Sequence, residues 1–138
     1  MGAQDCIFCK IASGQIPSIK LYEDDIVVAF LDIGPVSEGH TLVMPRQHFE
    51  KVHNCPTELL GQIWQRIGKL AGAITSAMNS DGYNVLCNNG RSAGQVVDHL
   101  HFHIIPRNAG DGVFTQWPSF KYAAGKTESV AAKIKSKL

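Results

Sequence analysis

Segment 99–105 constrains this chain more than any other feature, because three histidines alternate in it with apolar residues. Side chains of a β-strand point to opposite faces with a period of two. Read as a strand, the segment places its histidines on one face, about 7 Å apart, and Leu100, Phe102 and Ile104 on the other. A row of imidazoles is hard to assign to packing, since protonated neighbours repel. Two interpretations remain open: metal ligation, or nucleophilic and acid–base chemistry at a phosphate or acyl centre.

Length and composition place the chain among ordinary globular domains. Its 138 residues, 44% of them hydrophobic, predict one domain over 1–138 with a sizeable core. A formal net charge of +1 gives no global attraction to nucleic acid or membrane, so neither is expected as a partner. The sequence shows no apolar run of about 18 residues, so no membrane span is expected. It shows no basic stretch followed by an apolar one near Met1, so no secretory signal is expected. We therefore expect a cytoplasmic protein.

The residue pattern predicts an α+β fold. Alternating and β-branched runs indicate five strands, at 18–23, 26–32, 40–44, 83–88 and 99–105, the third and fifth closed by Pro45 and Pro106. Apolar residues at helical spacing predict a long helix over 56–79, whose core stripe includes Trp64 and Met78. A short helix over 127–138 follows, with Thr127 as its cap. Short connections favour a five-stranded antiparallel sheet.

The four cysteines indicate thiols or metal ligands rather than disulfides, because no secretory signal accompanies them. Cys6 and Cys9 form a C-x-x-C pair with metal-ligand spacing. The alternative is a pair of reduced thiols in a small turn. Cys55 and Cys87 lack a partner in a motif and are interpreted as small core-filling residues.

Segment 99–105, read as H-L-H-F-H-I-I, resembles the signature of the histidine triad (HIT) family of nucleotide-binding proteins. The resemblance extends over residues 5–112, leaving 113–138 as a C-terminal extension. It includes the Phe-Leu-Asp-Ile run at 30–33 and the segment Gly-His-Thr-Leu-Val-Met-Pro at 39–45. Together, in the order of the family, these motifs are highly specific.

The resemblance implies a HIT-like fold, a homodimer, and hydrolysis at the α-phosphate of a purine nucleotide through a nucleotidyl-histidine. It makes the middle histidine the nucleophile. The implied catalytic set is His101, His103, His40 and His99. The implied nucleotide-binding set is Phe30, Asp32, Ile33, Asn88, Gly94, Gln95, His101 and His103. A backbone carbonyl would fix the tautomer of the nucleophile, while neighbouring imidazoles would stabilise the charge that grows on phosphate oxygens. No divalent metal is expected in the chemical step.

Some members of the family with an N-terminal C-x-x-C hold zinc, and this chain resembles them. The ligands implied here are Cys6, Cys9, His48 and His99. Such a site would be structural, because four protein ligands leave no open position for water.

Two residues narrow the branch within the family. His103 stands where the transferase branch carries glutamine, which favours a hydrolase of nucleoside phosphoramidates or dinucleoside polyphosphates. Val96 stands where close relatives carry a hydroxyl that is thought to help protonate the leaving group. Two alternatives therefore stay open: a nucleotide-sensing module with little turnover, and a metal-dependent hydrolase that uses the triad as ligands.

Overall fold

The protein is described by a computed structural model that covers residues 3–114 and 118–138. In chain order its principal elements are α1 (Ile7–Ala12), β1 (Lys20–Glu23), β2 (Val27–Leu31), β3 (Thr41–Pro45), α2 (Thr57–Ala77), β4 (Gly82–Leu86), β5 (Phe102–Arg107) and α3 (Lys126–Lys135). The predicted strands and the two predicted helices are present with small shifts of their ends. Residues 115–117 of the predicted extension lie outside the described residues.

The strands form one antiparallel sheet in the order β1-β2-β3-β5-β4, which confirms the predicted fold class. Strand β5 lies between β3 and β4, because α2 carries the chain across the sheet before β4 and β5 return as neighbours. This position makes the strand that carries His103 an interior strand, paired with β3 on one side and β4 on the other.

Both faces of the sheet are covered, and strand β2 explains why its residues are apolar throughout. Val27 and Ala29 pack under α2, in the larger core. Val28 and Phe30 face the opposite side and pack against α1. All four are buried. Each fully buried side chain of this size contributes about 1.5–3 kcal/mol through removal from water.

The histidine strand begins three residues later than predicted, at Phe102. Strand β3 pairs with β5 only as far as the Val43–Phe102 pair. Two residues on, Pro45 has no N–H with which to continue a ladder. Its carbonyl accepts from the ring of His99 instead, and the N–H of Leu100 donates to the carbonyl of Phe49. Segment 99–101 is therefore held by loop hydrogen bonds.

Pro45 ends its strand as the sequence predicted, whereas Pro106 does not. Pro45 is the last residue of β3 and pairs with Val27. Pro106 lies inside β5, opposite Tyr83 of β4. The pairing of β5 with β3 covers only 102–104, so the missing N–H of Pro106 removes no bond from that ladder.

The helices differ from the prediction at their margins. The buried stripe of α2 is Ile63, Ile67, Leu70, Ala71 and Ile74. Trp64 and Met78, predicted as core, are 50% and 36% exposed because they lie on the flanks of this stripe. Helix α3 begins after Gly125, whose φ of 73° lies in the left-handed region, so Thr127 sits inside the helix rather than at its cap. None of the described helices is long and apolar enough to cross a membrane.

Candidate functional site

His101 is buried just before β5, and its ring orientation is set by the chain itself. Its Nδ1 lies 2.6 Å from the carbonyl oxygen of His99. Because a carbonyl only accepts, Nδ1 carries the proton and donates it. The other ring nitrogen, Nε2, is therefore left with a free lone pair. A neutral imidazole with one nitrogen free and the other held is the arrangement required of a nucleophile.

A second pair of histidines has its tautomers fixed by a backbone amide. The N–H of Val36 donates to Nδ1 of His40 at 3.2 Å, so the proton of His40 is on Nε2. That Nε2–H donates to Nδ1 of His103 at 2.9 Å. His103 is then protonated on its own Nε2, which is left as a hydrogen-bond donor. The chain of bonds delivers a donor beside a nucleophile, with the ring centroids of His101 and His103 5.1 Å apart.

The three imidazoles of this site are electrically neutral at pH 7. Burial lowers the pKa of His40 below the usual 6.5, against a smaller opposing effect of the Asp32 carboxylate. Burial also lowers the pKa of His101, against the opposing effects of its hydrogen bond to His99 and, next, of Asp32. Burial and the neighbouring His101 and His40 lower the pKa of His103 to about 4. Neutral rings are what the alternating donor and acceptor roles require.

His101 and His103 open onto a cavity of about 380 Å³. This volume falls in the range of small-molecule sites, and its lining is mostly apolar. Its walls come from the end of β2, from the loop that precedes the histidine segment, and from the N-terminal part of the chain.

Of the residues predicted to bind a nucleotide, Phe30, Asp32 and Ile33 line the cavity together. Phe30 is buried beneath it, whereas Ile33 is fully exposed at its mouth. Asp32 follows β2 and accepts from the N–H of Gly34 at 2.8 Å through Oδ1. Its Oδ2 lies 3.6 Å from Nε2 of His40. Asp32 is thus a turn residue whose remaining acceptor positions are available to a ligand hydroxyl.

The loop at 88–95 places its predicted residues in different roles. Gly94 lines the cavity with a φ of 88°, and Asn88 donates to its carbonyl at 3.4 Å. Gln95 is buried and does not line the cavity. Its side chain accepts from the N–H of Gly90 and donates to the carbonyl of Glu50, both at 2.7 Å. Gln95 therefore fixes the loop that presents Gly94.

The structure brings the predicted metal ligands together around Nδ1 of His99. Cys6, Cys9, His48 and His99 offer ligand atoms that lie within 4.8 Å of one another. The Nδ1 of His99 is 3.5 Å from each thiol sulfur and 3.2 Å from Nδ1 of His48, which is 3.4 Å from the sulfur of Cys9. Ideal tetrahedral zinc, with Zn–N of about 2.05 Å and Zn–S of about 2.3 Å, gives N–N edges of about 3.3 Å and N–S edges of about 3.5 Å. The four residues fit such an ion.

The ring of His99 is oriented for this cluster. Its Nε2–H donates to the carbonyl of Pro45 at 2.8 Å, which leaves the lone pair on Nδ1 facing the thiols. The Nε2 of His48 is buried without a partner among the described residues, so the ring is held through its Nδ1 side. Burial and the neighbouring Cys6 raise the pKa of the Cys9 thiol to about 11. A bound cation would reverse this by favouring the thiolate.

His99 does not join His101 and His103 as a ligand set. Within the part of the chain that the structure describes, the second group with metal-ligand geometry is Asp32, His40 and His103. The ring of His99 faces the cysteines because its Nε2–H donates to the carbonyl of Pro45. This bond forms past the Val43–Phe102 pair, where the pairing of β3 with β5 ends. This arrangement disfavours a three-histidine metal centre.

Sequence reasoning missed the contribution of α1 to the cavity. Ile7, Phe8 and Ile11 line it, and the ring of Phe8 meets the ring of His101 edge-on at 5.0 Å between centroids. Helix α1 has six residues and no side-chain cap, so no helix was predicted there from the sequence. The available signal was the i, i+1, i+4 spacing of the three apolar residues around the C-x-x-C pair.

The chain is similar to known proteins over most of its length. A family model described as HIT domain matches residues 13–110. The chain is 44% identical over 134 residues to adenosine 5'-monophosphoramidase hnt1 of Schizosaccharomyces pombe, which covers 96% of this chain and 98% of that protein. A crystal structure of a HIT family member from Bacillus subtilis is 42% identical, with a TM-score of 0.89 over 97% of both chains. A zinc-bound histidine triad family protein from Mycobacterium smegmatis is 33% identical, with a TM-score of 0.76 over 99% of this chain and all of that one. The chain belongs to the HIT domain family, as the resemblance of its histidine segment predicts.

Proposed function

We propose that this protein hydrolyses a purine nucleotide at its α-phosphate, through a covalent intermediate on His101. The observation that carries the proposal is the pair of opposite tautomers at one end of the cavity. His101 keeps a free lone pair on Nε2, and His103 keeps a proton on Nε2. A relative at 44% identity is named adenosine 5'-monophosphoramidase, which supports a phosphoramidate as the substrate class.

The reaction follows from these two nitrogens. Nε2 of His101 attacks the α-phosphorus, so a P–N bond forms while the bond to the leaving group breaks, and an amine leaving group takes a proton from solvent. The Nε2–H of His103 donates to a non-bridging oxygen on which negative charge grows. Water then attacks the same phosphorus and gives a proton to solvent, the P–N bond breaks, and His101 returns to its neutral form. The carbonyl of His99 stabilises the partial positive charge that the attacked ring carries meanwhile.

The cavity accounts for the nucleoside half of the substrate. Phe30, Ile33 and the apolar side of α1 would flank the base, and the acceptor oxygens of Asp32 would bind the ribose hydroxyls. Gly94 would let its backbone approach the phosphate without a side chain between them. Asn88 supports that glycine through its carbonyl.

Val96 favours a second candidate, a nucleotide-sensing module with little turnover. This residue is 83% exposed, lines the cavity, and has no hydroxyl with which to protonate a leaving group. A substrate whose leaving group needs no proton, such as a dinucleoside polyphosphate, avoids the difficulty. Steady-state turnover on a phosphoramidate and on a dinucleoside polyphosphate separates the two candidates.

Zinc held by Cys6, Cys9, His48 and His99 would be a structural ion in this proposal. The four protein ligands complete a tetrahedron and leave no site for a reacting water. It would join the N-terminal segment to the loop after β3 and to the histidine segment. No divalent metal takes part in the phosphoryl transfer, which would therefore proceed in the presence of a weak chelator that leaves this ion bound.

A homodimer is also proposed, with α2 and β4 as its contact surfaces. Trp64 of α2 and Tyr83 of β4 are large hydrophobic side chains that are 50% and 48% exposed on these two elements. A two-fold axis would bury both on the same partner surface. Light scattering at micromolar concentration should give twice the chain mass, and a mass of one chain would exclude the dimer.

Trapping the intermediate tests the proposed function. The protein is mixed with an adenosine phosphoramidate and quenched with denaturant on the millisecond scale. Peptide mass spectrometry at neutral pH should find an added nucleotidyl group on His101. An adduct on another residue, or turnover of the substrate with no adduct at any time, would exclude the mechanism.

A further inference from the structure

His99 connects the metal cluster to the proposed nucleophile through a single residue. It is completely buried, and each of its polar groups is engaged. Its Nδ1 belongs to the cluster, its Nε2–H donates to Pro45, and its N–H donates to the carbonyl of Val97 at 2.8 Å. Its own carbonyl accepts the proton of His101 at 2.6 Å. A rotation of the His99 peptide would therefore change which way Nε2 of His101 points.

Phe8 forms a second connection between the cluster and the site. It stands between the two cysteine ligands, on the first turn of α1. Its ring meets His101 edge-on at 5.0 Å, Phe30 at 5.6 Å and His99 at 6.0 Å between centroids. The same ring lines the cavity, so its position defines both the surroundings of the nucleophile and one wall of the nucleotide site.

The N-terminal end of α1 is held by the cluster and by burial of Cys6 and Phe8 against the sheet. A helix of six residues is not stable on its own, and Cys6 at its N-cap makes no capping side-chain hydrogen bond. The other end is fixed by a hydrogen bond from Arg46 to the carbonyl of Ala12 at 2.9 Å. Losing the cluster would thus loosen the end of the helix that carries Phe8 more than the far end.

We propose that Cys6, Cys9 and His48 are positioning residues for the reaction, acting through His99 and Phe8. Metal binding by these side chains sets the orientation of His101 and the width of the nucleotide site. Nucleotide affinity and the rate of adduct formation therefore depend on occupancy of the cluster. The inference rests on the proposed function and adds to it, because a purely structural ion would alter stability alone.

His48 offers the sharpest variant pair. It lies on the loop after β3 and does not line the nucleotide cavity. His48→Ala removes one ligand, whereas His48→Cys keeps four nitrogen or sulfur ligands and should hold zinc. We expect His48→Ala to weaken binding of adenosine monophosphate and to slow adduct formation by about 10- to 100-fold, with His48→Cys close to the parent. Cys87→Ser, which changes a cysteine outside the cluster, is the matched control.

A spectroscopic readout separates positioning from simple loss of stability. The Nδ1–H of His101 gives a proton resonance that reports its bond to His99. We expect this resonance to shift or to broaden in His48→Ala at a temperature where the circular dichroism is that of the parent, and to return in His48→Cys. An unchanged resonance, with unchanged affinity and adduct rate in zinc-free His48→Ala, would overturn the proposal.

Linkage gives a test that needs no variant, and it applies if His48→Ala does not fold. Coupling between two sites is reciprocal, so saturating adenosine monophosphate should tighten zinc binding of the parent by the same factor. The measurement is the equilibrium distribution of zinc between the protein and a coloured chelator, with ribose 5-phosphate as the control for chelation by phosphate. An equal distribution with and without the nucleotide would overturn the proposal.

The proposed function fails separately. If the zinc-loaded parent binds adenosine monophosphate but forms no adduct on His101, the covalent mechanism is wrong while the coupling is still measured by affinity and linkage. If the parent does not bind the nucleotide at all, the His101 resonance in the His48 variants still decides the positioning role.

Discussion

Two histidine sites lie next to each other on one short segment, and they use opposite ring nitrogens. In the metal cluster, His99 donates through Nε2 to the carbonyl of Pro45 and presents Nδ1. In the site beside the cavity, His101 donates through Nδ1 to the carbonyl of His99 and presents Nε2. Both rings are buried and uncharged at neutral pH. Each ring has its own carbonyl acceptor, and the ring nitrogen that the acceptor engages decides whether the imidazole is a ligand or a nucleophile.

The surroundings of the two lone pairs differ as much as their tautomers. Nδ1 of His99 faces two thiols and a second imidazole, which together with it make up a set of four ligand atoms. His101 opens onto a cavity, with His103 as a neighbouring donor. A cation satisfies the first arrangement, and a phosphorus centre with charged oxygens satisfies the second. The predictions that follow test whether the two sites differ in this way.

Replacement of the nucleophile should have the largest effect. His101→Ala is expected to lower kcat by several orders of magnitude, because no other described ring presents a free lone pair to the cavity. Affinity for adenosine monophosphate should be kept, since Phe30 and Asp32 remain, and so should one zinc per chain. Steady-state kinetics, calorimetric titration and elemental analysis measure the three quantities. The exposed His53→Ala is the control.

Near-parental turnover by His101→Ala would contradict the assignment of the nucleophile. Loss of zinc in the same variant would contradict the separation of the two sites.

Replacement of the donor should cost less. His103→Ala removes one hydrogen bond to the phosphate, and the loss of a single donor of this kind lowers kcat by about 10²–10³-fold. The variant should still form an adduct on His101, only more slowly. His40→Ala acts through His103 and should have a smaller effect. Rapid-quench kinetics of adduct formation measure all three proteins, and a greater loss in His40→Ala than in His103→Ala would reverse the order of the proposed chain of hydrogen bonds.

The sequence predicted the alternation of this segment better than its hydrogen bonding. Leu100, Phe102 and Ile104 are buried under α2, as a period of two requires. This held although His99 and His101 lie outside the strand, because extended backbone alternates its side chains whether or not it pairs. Which nitrogen each ring presents could not be predicted, since the acceptors are the carbonyl of Pro45, 54 residues away, and that of His99.

Helix α1 and the flanks of α2 were beyond the sequence pattern for a different reason. Helix α1 is too short to be stable alone, and its Phe8 and Ile11 are buried only because the sheet lies beneath them. Trp64 fits the apolar period of α2, but the sheet covers a narrower stripe than that period defines. Tertiary contacts determine both outcomes, and local propensity does not report them.

Removing a metal ligand should reduce activity by less than His101→Ala or His103→Ala does. Cys6→Ser should release the zinc and lower the thermal midpoint, because Cys6 is buried where the N-terminal segment meets the sheet. Turnover should fall about 10- to 100-fold. Elemental analysis and a thermal melt give the first two results, with Cys87→Ser as the matched control. An absence of zinc in parent protein purified without chelator would contradict the metal site.

Acid should distinguish the two sites through stability, with the smallest effect. Burial lowers the pKa of folded His103 to about 4, whereas an unfolded histidine titrates near 6.5. Between these values the unfolded chain binds more protons, so the free energy of unfolding falls as the pH falls from about 6.5 to about 4 and is constant above 6.5.

Release of zinc in acid also lowers the free energy of unfolding, so the contribution of His103 is taken as the difference between the parent and a variant. His103→Gln should show a shallower decline than the parent in urea denaturation at pH 7, 6 and 5, while zinc content at each pH stays the same in both proteins. His53→Gln, which changes an exposed histidine that does not line the cavity, is measured beside it. Equal slopes for the parent and His103→Gln would mean that the acid sensitivity of the fold lies in the metal cluster and not in the site beside the cavity.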